Sequence, residues 1–185
     1  MWLQKMNLTD RSRLSLSAET RGAVIMELAL ALPVLVLLFL SSTEYVRALQ
    51  VQQTLAVVSR EAANATFRDC VELDNVDECL DYVYDRMFDS SQKALPGMEL
   101  IITIYTYDFD PITGVEKIER AGVRPASAAT PKGRPSKFSL AEFQGPKKAF
   151  MQLQQKIAIA ETFVSFTPII ENAPISREFY DAAIY

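Results

Sequence analysis

The stretch RGAVIMELALALPVLVLLFL, Arg21–Leu40, decides how the rest of the chain is read. Leu28–Leu40 contains no polar side chain. A helix needs roughly 17–25 apolar residues to cross a bilayer, and Ala23–Leu40 with its flanks meets that length. Upstream, Lys5, Arg11, Arg13 and Arg21 outnumber Asp10 and Glu19. The positive-inside bias therefore places Met1–Gly22 in the cytoplasm and everything after Leu40 across the membrane. A cleaved secretory signal would show a small-residue site beyond its apolar core. Only Ser41–Thr43 offer weak candidates, no clear A-x-A follows, and the helical pattern runs on through SSTEYVRALQVQQ.

Composition narrows the chemistry. The 185 residues hold 19 Lys and Arg against 23 Asp and Glu, which excludes a uniformly basic nucleic-acid binder. Hydrophobic residues reach 49% and charged residues 23%, so the chain is built to fold. It has no His, which removes Ser-His, Cys-His and His-ligated metal mechanisms together. Two Cys are too few for a four-thiolate zinc site. No phosphate-binding Gly-rich loop is present, because GPKK at Gly145–Lys148 lacks the spacing. No enzyme activity and no cofactor are expected.

Glu27 interrupts the apolar run. A central acid in a membrane helix costs roughly 2.5–3.5 kcal/mol, less near the interface. Glu27 either lies at headgroup level or awaits a cation. Gly22 suggests which cation: a cut after Gly22 makes Ala23 a free α-amine and Glu27 the fifth residue. Neighbouring helices staggered along a filament would pair the two groups, and a buried carboxylate is tolerated when so paired. Basic leader, Gly, Glu five positions on, and apolar helix together resemble the class III, type IV pilin-like prepilins.

The resemblance sharpens further on. Arg21, Gly22, Glu27, Ala29, Leu30 and Pro33 fill the pattern R-G-x4-E-x-A-L-x-x-P, which resembles the head of the TadE/TadF-like minor pilins of the tight-adherence (Tad/Flp) pilus. Glu44, Tyr45, Arg47, Gln53, Arg60, Glu61 and Ala63 continue the likeness through Ala65. KIAIAETFVSFTP near the C-terminus is similar too, more loosely. Leu28 stands where the major Flp pilin has Tyr, and this chain is much longer, so the resemblance implies a minor pilin or pseudopilin. It implies a prepilin peptidase, other Tad minor pilins, the major pilin and an inner-membrane assembly platform as partners, beside membrane lipid. The subunit would be single-pass in the bacterial inner membrane with a periplasmic C-terminal domain, or incorporated into an extracellular pilus. The rival reading is an unprocessed single-pass protein whose outer domain binds a partner. An extracytoplasmic enzyme using an acid pair is a third.

Ala48, Val51, Leu55, Val58, Ala62 and Ala65 form a seam of period 3.5. No Gly or Pro interrupts Val34–Cys70, so Ala23–Asp69 is expected as one helix, roughly 70 Å at 1.5 Å per residue. Pro33 removes one backbone donor in the span. The lower part of the seam is expected to pack on the chain's own domain and the upper part on other subunits.

Cys70 and Cys79 bracket a short loop and are expected to form a disulfide, which the far side of the membrane permits. Asp69–Asp89 carries eight acids against Arg86. Calcium takes about six to eight oxygens, but no EF-hand spacing is present, and a solvated acidic face is the expectation. Val76–Leu95 predicts a second helix, Met98–Tyr107 a strand, Val115–Arg120 its hairpin partner, Ser139–Gln155 a short helix interrupted at Gly145-Pro146, and Lys156–Thr167 a last strand. Ala121–Lys137, rich in Pro and Gly, predicts a mobile basic loop. That loop is either solvated, or faces an anionic surface, or docks on a neighbour's acidic Asp69–Asp89 face. The tail Ile169–Tyr185 shows no clear period.

The expected architecture is α+β: a cytoplasmic leader at 1–22, a transmembrane helix at 23–43, a stalk helix at 44–69, and an extracytoplasmic domain at 70–185 with its loop at 121–137. A small antiparallel sheet of three strands packs on the long helix.

Overall fold

A computed structural model describes residues 9–73, 75–139, 146–169, 175 and 177–185, with side chains from Gly22 onward except Pro146, Lys147 and Phe150. Residues 1–8 of the leader, Asp74 of the acidic stretch, residues 140–145 and much of 170–176 lie outside it. The elements are α1 (Thr9–Cys70), α2 (Val76–Ala94), β1 (Glu99–Phe109), β2 (Glu116–Arg124), α3 (Pro146–Gln154), β3 (Lys156–Ser165) and β4 (Glu178–Ile184). The class is α+β. The chain divides into two compact units, Met1–Tyr45 and Val46–Tyr185.

The first unit is helical, and the described part of its apolar run is exposed on every side. Val24, Ile25, Leu30, Leu35 and Phe39 all show more than half their surface. The best window of this helix has a mean hydropathy of 2.7 and none of it is buried. A helix apolar around its whole circumference belongs in a membrane or a large core. Where the run ends, Ser41 and Thr43 donate their hydroxyls to the Leu37 and Leu40 carbonyls, both at 2.8 Å.

The second unit is a four-stranded antiparallel sheet in the order β2-β1-β3-β4, with the later part of α1 and all of α2 on one face. The alternation of β3 explains the packing. Ala158, Ala160, Thr162 and Val164 face the helices, while Ile157, Ile159, Glu161 and Phe163 face the other way. The small residues lie opposite Ala62 and Ala63, so helix and strand approach closely. Thr162 donates its hydroxyl to the Leu55 carbonyl across that contact. On β1 the inner Leu100, Ile102 and Ile104 meet Leu80, Val83 and Met87 of α2. The outer face is closed by Phe138 and Met151 over Tyr105, Ile157 and Ile159.

Three expectations need correction. The sheet has four strands, because the tail forms β4, paired along Ile159–Ser165. The hairpin strand runs to Arg124, so Ala121–Arg124 are strand and not the start of a loop. The reason is local: Gly122 lets β2 press against α2, where a Cβ would meet Leu80 Cδ1 at 2.6 Å. Finally, the long helix starts at Thr9, upstream of Ala23.

Candidate assembly site

Gly22, Ala23 and Glu27 lie on the same helical segment, with Ala23 and Glu27 one turn apart. All three are exposed, and a Cβ at Gly22 would touch nothing within 4 Å. A peptidase acting at the Gly22-Ala23 bond meets no tertiary obstruction from the described residues. Among those residues Glu27 has no ion-pair partner, and the Ala23 nitrogen is tied in a peptide bond.

The seam residues are placed by the second unit. Leu55 and Ala62 are fully buried, Val58 nearly so, and Val51 is half-buried. Leu55 and Val58 pack with Met98 and Val164, joined by Val51, Leu95 and Phe179. From Ala48 to Ala62 the seam lies on the chain's own domain, so its upper part is not left for other subunits. The small residues Ala158 and Ala160 of β3 accommodate its Ala62 end. The helix face left exposed carries Val46, Leu49, Gln53, Val57 and Arg60.

Cys70 and Cys79 form a disulfide with a Cα–Cα distance of 5.5 Å. It ties the end of α1 to the first turn of α2. The acidic residues nearby have a partner from within the chain. Arg124 reaches from β2, donating from Nη1 to Asp77 Oδ1 at 3.1 Å, from Nη2 to Asp81 Oδ2 at 2.9 Å, and from Nε to Asp81. This guanidinium holds the Asp81 carboxyl below its ordinary range. Lys148 similarly pairs with Glu116 and lowers it. Part of the charge expected to bridge subunits is thus engaged internally. Among the described residues no group of three acids or thiols converges on a metal.

The segment 125–138 is organised by two buried carboxylates that the sequence did not single out. Glu161 accepts from Ser136 Oγ, from the Lys137 and Phe138 amides at 2.8 and 3.1 Å, and from Tyr180 Oη at 3.0 Å. Glu99 accepts from the Lys132 amide and pairs with Arg134, each at 3.0 Å. Buried carboxylates need such donors. The available signal was a lone acid in each apolar strand, at Glu99 and in IAIAETF.

The site's geometry can be set beside known proteins. Residues 22–64 match the family model of TadE-like proteins. No curated protein and no solved structure matches the chain. The TadE-like segment opens at Gly22, contains Ala23, Glu27 and the seam through Ala62, and stops short of Cys70. The disulfide, the sheet and the segment 125–138 lie beyond it. TadE-like proteins are pilus components and not a known enzyme family.

Proposed function

We propose that this protein is a minor pilin or pseudopilin of a Tad-type pilus, cut after Gly22 by a prepilin peptidase. The carrying observation is that the TadE-like match opens at Gly22, on an exposed apolar helix with Glu27 five positions on. Before the cut, the segment anchors the chain in the inner membrane as a single-pass protein, its C-terminal domain in the periplasm. After the cut, Glu27 neutralises the Ala23 ammonium of a neighbouring subunit in a dry environment, where an unpaired carboxylate would be costly. The subunit then joins other Tad minor pilins, and the major pilin, in initiating or capping a fibre used in adhesion. The extracytoplasmic unit is a structural block: its disulfide and sheet fix the helix face that neighbours meet.

Intact-mass analysis of the protein purified from its native host tests this. The expected mature chain begins at Ala23. Retention of Met1–Gly22 in assembled material, with the peptidase active, would overturn the proposal in favour of an unprocessed anchored receptor. Glu27→Ala should insert and be processed but fail to enter sheared fibres.

A further inference from the structure

The second unit carries its charge unevenly. α1 enters it at Val46, and around that end lie Arg47, the last turn of α2 with Lys93, the turn Leu95–Gly97, the end of β3, and Lys132, Arg134 and Arg177. Several observations bring these together. Arg47 lies over the Phe166 ring at 5.6 Å. The Phe166 amide donates to the Arg177 carbonyl at 2.8 Å. Arg134 donates to Ser165 Oγ, and Lys132 Nζ reaches to 4.0 Å of where a Gly97 Cβ would stand. Arg47, Lys93, Lys132 and Arg177 are exposed, and so is Ile169, at 73%. Among the described residues the acids here include Glu99, buried and held by Arg134, Glu178, 3.5 Å from the same guanidinium, and Glu44, buried one turn before Arg47 on α1. The opposite end, around the disulfide, has Asp69, Glu72, Asp77, Glu78 and Asp81 against Arg68, Arg124 and Lys156.

Arg47 lies seven residues beyond Leu40. Even a fully extended link holds it within about 25 Å of the end of the apolar segment. A cationic surface tethered at that range is drawn to anionic headgroups, and a predominantly acidic far end is turned away from them. We propose that the basic end of the second unit is a lipid-facing collar. It recognises anionic phospholipid headgroups and seats the domain on the membrane from which the subunit is recruited. The proposal rests on the membrane-anchored reading and not on processing at Gly22.

The test uses the full chain with Trp2→Phe and Ile169→Trp, reconstituted into nanodiscs. One set is phosphatidylcholine; the other is three parts phosphatidylcholine to one part phosphatidylglycerol; both carry a headgroup spin label. The introduced indole should be quenched at least about twofold more in the anionic discs at low salt, and the excess should vanish at high salt as the charges are screened. Lys93→Glu with Lys132→Glu, both on exposed positions, should remove the excess without altering the unfolding midpoint. Equal quenching in both lipids overturns the collar, as does an excess that survives the double reversal. No excess on anionic discs, together with a shift of the indole emission on adding an acidic partner subunit in detergent, assigns the surface to a protein and also overturns it. A chain that fails to float with either disc sinks the anchored reading itself, a result distinct from the others.

Discussion

Two stretches of the long helix, Ala23–Leu40 and Ala48–Cys70, answer to different solvents. In the first, apolar side chains point in every direction and the described ones are exposed. In the second, one stripe of small and apolar residues is buried, and the exposed face is mixed, with Gln52, Gln53, Arg60 and Glu61 beside Leu49 and Val57. The difference teaches that a hydrophobic side chain does different work according to what surrounds it. In Ala23–Leu40 it sets the helix's affinity for a membrane, whereas in Ala48–Cys70 it holds a sheet.

The sharpest way to break this comparison is to place the same change in both. Leu55→Asp puts an unpaired acid against Met98 and Val164 and should abolish cooperative unfolding of the second unit in detergent, followed by urea titration with near-ultraviolet dichroism. Leu35→Asp should leave that transition in place and cost roughly 2.5–3.5 kcal/mol of membrane insertion instead, read as lost membrane fractionation. Next in size, reducing Cys70–Cys79 should cost about 2–3 kcal/mol of the second unit's stability, as for a short closed loop. Gly122→Ala should cost about 1–3 kcal/mol by overpacking against Leu80, while Gly22→Ala, with open space around it, should leave the urea midpoint unchanged. The smallest effect concerns pH. The Arg124–Asp81 pair lowers the Asp81 pKa in the folded state, so its contribution is present above the ordinary carboxylate pKa and lost as pH falls through the lowered value. The stability gap between the parent and Arg124→Met should narrow over that acid range.

The legibility of the fold divides along the same line. The apolar span, the seam and the first strand were readable because each obeys one period. β4 was not, since Asp181 occupies an inward position where it meets Ser59 of α1, and that acid breaks the alternation. The last part of β2 was hidden by Gly122 and Pro125, which read as loop residues although Gly122 is there for close packing against Leu80. Glu161 was unreadable as a structural centre because its donors come from 136–138 and from Tyr180, remote in sequence. For the candidate site, Gly22, Ala23 and Glu27 were legible as a spacing, while the seam's extent on its own sheet required knowing that β3 presents its small side chains.

The disulfide at the end of α1 has a mechanical consequence. Tension carried down the helix to Cys70 crosses directly to Cys79 through the sulfur–sulfur bond, so residues 71–78 stay outside the load path. Were the helix pulled off its sheet, that short connection would still not lengthen, and the force would pass straight into α2.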